Sequence, residues 1–296
     1  MGFFDKLVKV LKDFWDKITN DLPQTPDNTD SSSSSSESVS DGVDSNELFW
    51  DQRASFLFDN AGTRAMNALS TKATESWVKS LIKRQKANGD NTVWLFFSNQ
   101  GDGQPVPTTM YKELFGGEVD SVRVTMMRER IKAYKNEGFK VVAWLTADDS
   151  DKISAASLAT HKKFIEHVYK EFGDQINAYC VGLEMNEGGN DKRAEIAKKL
   201  IAHCKLITKK DVGVHLMTGT WEEAIIWGAD TLYYQTGFGK SINQVKTECA
   251  SVIAKINGRC KFVLAEYHKS SDSKEAKAIG QAAMTVAGCL GTGNGR

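Results

Sequence analysis

From Ser55 onward the sequence repeats one unit: a short run of apolar, β-branched or aromatic residues, then a longer segment whose apolar residues recur every three or four positions. The short runs are Ser55–Phe58, Thr92–Phe97, Lys140–Leu145, Ala178–Leu183, Val212–Met217, Thr231–Tyr234 and Lys261–Ala265. Helical period shows between them, as in Leu158, Phe164, Ile165, Val168 and Phe172, or Ile242, Val245, Cys249, Val252 and Ile253. Strand alternating with helix specifies a parallel sheet covered by helices. The runs are apolar at consecutive positions rather than alternate ones, so both faces are expected to be buried, which argues against an antiparallel sandwich. The span 48–296 matches the roughly 250 residues of a (β/α)8 TIM barrel. The eighth strand then falls at Gly288–Gly291. An open doubly wound sheet is the alternative, but no Gly-rich phosphate loop follows the first run.

Two further segments precede the barrel. Over residues 3–22, Phe3, Phe4, Leu7, Val8, Leu11, Phe14, Trp15, Ile18 and Leu22 repeat at helical spacing with charges between them, which predicts an amphipathic helix. Balanced Lys and Asp favour docking on a protein partner, or self-association, over a cationic membrane anchor. Residues 23–47 carry two prolines, six consecutive serines and scattered acids, too little apolar surface to order a chain. They read as a tether, and helix plus tether suit attachment to a virion or other multi-protein assembly.

Composition narrows the function classes. Lys plus Arg equals Asp plus Glu at 38 each, and no basic run is present, so nucleic acid is not an expected partner. Five scattered cysteines without a C-x-x-C pair suggest neither zinc nor a disulfide framework, and no metal or other cofactor is expected. No apolar run has the length of a transmembrane segment, and the N-terminus lacks the apolar core and cleavage site of a signal peptide.

In a (β/α)8 barrel, chemistry gathers where the strands end. The polar residues closing the runs are Asp59 and Asn60; Ser98 and Asn99; Thr146, Asp148 and Asp149; Glu184, Asn186 and Glu187; His215 and Thr218; Tyr233, Tyr234 and Gln235; and Glu266, Tyr267 and His268. Glutamates from the fourth and seventh strands would face each other across the mouth. Such a pair suits glycoside hydrolysis, in which one carboxyl gives a proton to the leaving oxygen while the other, ionised, attacks the anomeric carbon.

The stretch Gly182-Leu-Glu-Met-Asn-Glu187 resembles the fourth-strand signature of the clan of retaining (β/α)8 glycoside hydrolases, and Phe262-Val-Leu-Ala-Glu-Tyr-His268 is similar to its seventh-strand signature. The resemblance implies a carbohydrate substrate, Glu187 as acid/base, Glu266 as nucleophile, Asn186 as a sugar ligand and Glu184 as a supporting acid. It also implies a tyrosine beside the nucleophile, Tyr233 or Tyr234; strand alternation alone does not say which points inward. The clan's eighth-strand tryptophan has no counterpart here, so Trp144 or Trp221 is the expected sugar platform. Arg64 stands too far beyond the first strand to match the arginine many members carry. His215 and His268 read equally as subsite ligands or as strand-end histidines with structural partners. Asp148 and Asp149 read first as a turn, and Trp77, Trp94 and Trp227 as core.

Overall fold

A computed structural model of the protein describes residues 51–57, 64–98, 109–146, 156–185, 191–268 and 273–293, with the side chains of 191–194 excepted. The helix expected over 3–22, the tether over 23–47, and Asn186 and Glu187 lie outside the described residues. Eight parallel strands form one sheet: β1 Gln52–Arg53, β2 Thr92–Phe96, β3 Lys140–Trp144, β4 Ala178–Cys180, β5 Asp211–Leu216, β6 Thr231–Gln235, β7 Lys261–Glu266 and β8 Cys289–Thr292. Seven α-helices among the described residues connect them in strict alternation: α1 Glu75–Ala87, α2 Ser121–Asn136, α3 Leu158–Phe172, α4 Asp191–Thr208, α5 Glu222–Ile226, α6 Ile242–Ile256 and α7 Lys274–Ala283. This is the expected (β/α)8 barrel; its first strand is Gln52–Arg53, ahead of the expected Ser55–Phe58, and its eighth is Cys289–Thr292, one residue beyond its expected start.

The pairing order runs β1-β8-β7-β6-β5-β4-β3-β2. Asn91 closes the remaining seam: its N–H donates to the Arg53 carbonyl at 2.9 Å, its Oδ1 accepts from the Arg53 N–H at 2.8 Å, and its Nδ2 donates to the Asp51 carbonyl at 2.6 Å. One residue does there what a strand ladder does elsewhere.

Two apolar layers explain why the strands are apolar on both faces. Val93, Leu95, Val141, Ala143, Val212, Val214, Leu216, Leu232, Tyr234 and Leu264 pack outward against the helices. Their neighbours Trp94, Phe96, Val142, Trp144, Ala178, Cys180, Tyr233, Val263 and Ala265 fill the interior with Phe56 and Met66. Trp144 lies at the centre, its ring 5.4 Å from Trp94, 5.5 Å from Tyr233 and 6.1 Å from Phe56. Tyr233 fits because β5 has Gly213 beside it, where a Cβ would stand 2.6 Å from the tyrosine ring.

Helix starts follow the sequence. Thr74, Asp120, Ser157, Ser241 and Ser273 each accept a first-turn N–H, and Ser241 with Gln244 forms a capping box, satisfying donors that a helix leaves open. Arg130 of α2, nearly buried, donates to the carbonyls of Ala68, Ser70 and Ala73 and to Glu75 Oε1 at 2.9 Å, fixing the entry to α1. All five cysteines are free thiols. No helix among the described residues is long and apolar enough to cross a membrane.

Candidate active site

The end of β7 departs from regular pairing at the residue that matters. Leu264 pairs with Tyr234, but Glu266 pairs with Gln235, leaving Ala265 as an extra residue opposite β6. Two residues facing one make a β-bulge, which re-aims the side chain that follows it. Leu264 and Tyr267 face the helices, and Ala265 faces the interior. Strict alternation from Leu264 would turn Glu266 outward as well. The bulge instead places it on the same face as Gln235, which lies two residues after inward Tyr233 and so faces the interior. Glu266 is fully buried there, and its carbonyl accepts from the Thr236 N–H at 2.9 Å.

The end of β4 is also irregular. Regular pairing stops at Cys180, where the sequence reading carried the strand to Leu183. The chain stays between its neighbours through single bonds: Leu183 N–H to the Thr146 carbonyl at 3.0 Å, and His215 N–H to the Gly182 carbonyl at 3.2 Å. Gly182 has no room for a side chain, since a Cβ would stand 2.2 Å from Met185 Sδ and 2.6 Å from Thr146 Oγ1. Glu184 then adopts φ +46°, a left-handed conformation that costs a residue with a side chain about 1 kcal/mol or more. Glu184 is therefore a turn residue, not a member of the strand.

That turn also sets a proton. The Glu184 N–H donates to His215 Nδ1 at 3.1 Å, so Nδ1 is an acceptor and the neutral ring carries its hydrogen on Nε2. His215 is buried, with its ring 5.2 Å from Trp144.

The interior end of the barrel thus brings together Glu266, Gln235, His215, Trp144, Tyr233 and the buried Glu184. Trp144 is buried completely in the aromatic column, and its Nε1 has no hydrogen-bond partner among the described residues. It contributes an edge or an N–H to the floor of the mouth rather than an exposed face. Tyr233 is the inward tyrosine, but it pairs with Val263, below Glu266, and its hydroxyl accepts from Gln52 Nε2 at 3.4 Å. Burial pushes its pKa well above the ordinary tyrosine value.

Three expected contacts lie elsewhere. Tyr234 points into the helix layer, where its hydroxyl donates to Glu248 Oε1 at 2.8 Å and lies 3.1 Å from Thr218 Oγ1; burial pushes its pKa up to about 12. Trp221 caps α5 and lines a separate cavity of about 630 Å³ with Tyr234, Glu248 and Lys255, the last 5.8 Å over its ring. His268 sits against the start of α7, Nε2 3.4 Å from Glu275 and Nδ1 3.5 Å from Ser273.

One residue that received no role from the sequence stands beside Glu266. Gln235 closes the sixth run two residues after Tyr233, so strand alternation puts it on the same inward face. Arg64 is buried, and the Ala65 N–H after it donates to the Leu57 carbonyl, four residues beyond β1, at 2.7 Å. Among the described residues no three His, Cys, Asp or Glu side chains come together as metal ligands.

No family model matches the chain, and no curated protein sequence does. Solved structures do. A GH113 β-1,4-mannanase shares 13% identity over 82% of this chain and 87% of its own, with a TM-score of 0.55. A GH5_18 protein from Streptomyces cattleya, in complex with Manb1-4GlcNAc, shares 10% over 82% and 70%, with a TM-score of 0.59. A GH5-4 broad specificity endoglucanase from an uncultured bacterium shares 12% over 84% and 88%, at 0.52. At these identities the likeness establishes a common barrel fold.

Proposed function

We propose that the chain is a retaining glycoside hydrolase acting on a polysaccharide or oligosaccharide. The observation that carries the reading is the bulge at Ala265, which turns Glu266 into the barrel mouth on the strand where the signature expects the nucleophile. The three fold neighbours described above, a mannanase, an endoglucanase and a GH5_18 protein, support it. In this mechanism Glu187 protonates the glycosidic oxygen while Glu266 attacks the anomeric carbon, and the leaving alcohol departs from a glycosyl-enzyme ester. Glu187 then takes a proton from water, which attacks the same carbon and frees Glu266, so two inversions give net retention. Asn186 binds a sugar hydroxyl close to the reacting carbon, His215 offers Nε2–H as a donor, and the buried Glu184 supports the turn.

The names of the neighbours make β-1,4-linked mannan oligosaccharides, then glucan oligosaccharides, the first substrates to assay. Glu266→Gln should abolish turnover while the variant melts with the parent, and NMR of the first product should show retained configuration. Undiminished turnover in Glu266→Gln refutes the assignment, and an inverted first product refutes the double displacement.

A non-catalytic glycan-binding or structural module has one observation in its favour: Glu266 is fully buried. That reading expects glycan binding without hydrolysis, equal in parent and variant. We also propose that residues 3–22, through the tether, attach the barrel to a protein assembly or a second copy. Removing 1–47 should leave turnover intact and release the protein from that assembly; co-purification of the shortened chain counts against it.

A further inference from the structure

The expected tyrosine contact to the nucleophile is not made, and a different residue occupies its place. The Tyr233 hydroxyl is engaged by Gln52 beneath the mouth, and the Tyr234 hydroxyl by Glu248 and Thr218 outside the barrel wall. The residue of β6 in register with Glu266 is Gln235. Adjacent strands lie about 4.8 Å apart, so inward side chains on partnered residues are neighbours. Gln235 is almost wholly buried, and its Oε1 has no hydrogen-bond partner among the described residues.

A buried acceptor without a donor is unfavourable and rare in folded proteins, so such a group marks a bond that something else completes. The adjacent Glu266, when ionised, has acceptors only and cannot complete it. A primary amide can serve both needs, having one donor end and one acceptor end, and half a turn about its last torsion exchanges them. We infer that Gln235 is the positioning residue of the Glu266 site: no hydrogen bond joins the two side chains in the orientation seen here, and with the amide turned half round its NH2 donates to the Glu266 carboxylate while its carbonyl accepts a hydroxyl of the sugar bound against that carboxylate.

This inference rests on the hydrolase reading and adds a chemical consequence. An amide carries no charge and does not titrate, so it holds the nucleophile in place without a second ionisation near it. A tyrosine in the same place would lose its donor at high pH; an amide does not. Replacing the amide by a carboxyl would put like charges side by side and raise the pKa of Glu266.

The test compares the parent chain with Gln235→Leu and Gln235→Glu. Each is assayed across pH on the β-1,4-linked oligosaccharide panel, with thermal melting to confirm folding. Gln235→Leu should lower kcat about ten- to a hundredfold, with a smaller change in KM. Gln235→Glu should move the acidic limb of kcat/KM to higher pH. A packing role alone predicts wild-type kcat in folded Gln235→Leu and an unmoved acidic limb in Gln235→Glu; that result overturns this inference and leaves the hydrolase reading standing. Absence of turnover by the parent on every panel member overturns both.

Discussion

The two rims of the barrel treat their acids differently. At the rim where the strands begin, Asp211 receives Lys261 at 2.8 Å and the Thr231 hydroxyl at 2.7 Å, while Asp230 receives Lys205 at 2.5 Å and the Val212 N–H at 3.0 Å. β5 and β6, which these acids join, pair there without a shift of register, and each carboxylate ties two or three elements together. At the rim where they end, the backbone itself is irregular: the left-handed turn at Glu184 and the bulge before Glu266 both fall on acids of the signature motifs. One rim uses charge to fasten the fold, and the other spends regularity to aim side chains.

Substitutions at each rim break this contrast in opposite ways. The largest effect is expected from Glu266→Gln, with turnover reduced about a thousandfold or more and little change in melting temperature, read by steady-state kinetics and calorimetry. Asp211→Ala should do the reverse. It leaves the Lys261 charge without its nearest partner and should cost about 2–3 kcal/mol in denaturant unfolding, with kcat of the folded fraction unchanged. Activity loss in Asp211→Ala beyond the folded fraction would dissolve the distinction between rims.

Gly182→Ala sharpens it. The added methyl must displace Met185 or Thr146, moving the turn that leads to Glu187, so kcat/KM should fall about tenfold, with an overpacking cost of roughly 1 kcal/mol. Equal losses of activity and stability across a volume series at this position would reduce the turn to a packing element.

The smallest effect concerns the outer wall. Burial alone would raise the pKa of Glu248, but hydrogen bonds from Lys240, Thr236, Tyr234 and Thr218 together hold it below the ordinary glutamate value. A carboxyl with a depressed folded-state pKa stabilises the fold above its unfolded value, about 4.3, and loses that contribution as pH falls through the folded-state value. The stability advantage of the parent over Glu248→Gln, about 1 kcal/mol at neutral pH, should shrink progressively below that point, as urea titrations from pH 7 to pH 3 would show. A difference that does not change with pH would exclude ionisation as its source.

Much of the fold was legible because parallel strands buried on both faces leave continuous apolar runs, and helices between them leave three-and-four spacing. The barrel, the strand order and the glutamate at the end of the seventh run all follow from those signals. The finer points of the site did not, because they depend on departures from period. A bulge adds one residue without changing composition, so nothing in Leu264-Ala265-Glu266 announces which acid or alanine faces inward. The Tyr233-Tyr234 pair was undecidable for the same reason, until Gly213 and the Gln52 bond fixed which ring enters the barrel. The early end of β4 follows from Gly182 and the left-handed Glu184, and an isolated glycine in an apolar run is a weak local signal.

The Asn91 seam has a mechanical consequence. Any pull on the chain ahead of Asp51 enters the barrel through β1, which has two residues paired with β8 on one side and, on the other, no strand ladder among the described residues but the Asn91 bonds and a side-chain bond from Trp94 to Gln52. The first strand is thus a short zipper with few teeth, and Asn91→Ala should lower the force of the earliest opening step in a single-molecule stretching trace without altering the later ones.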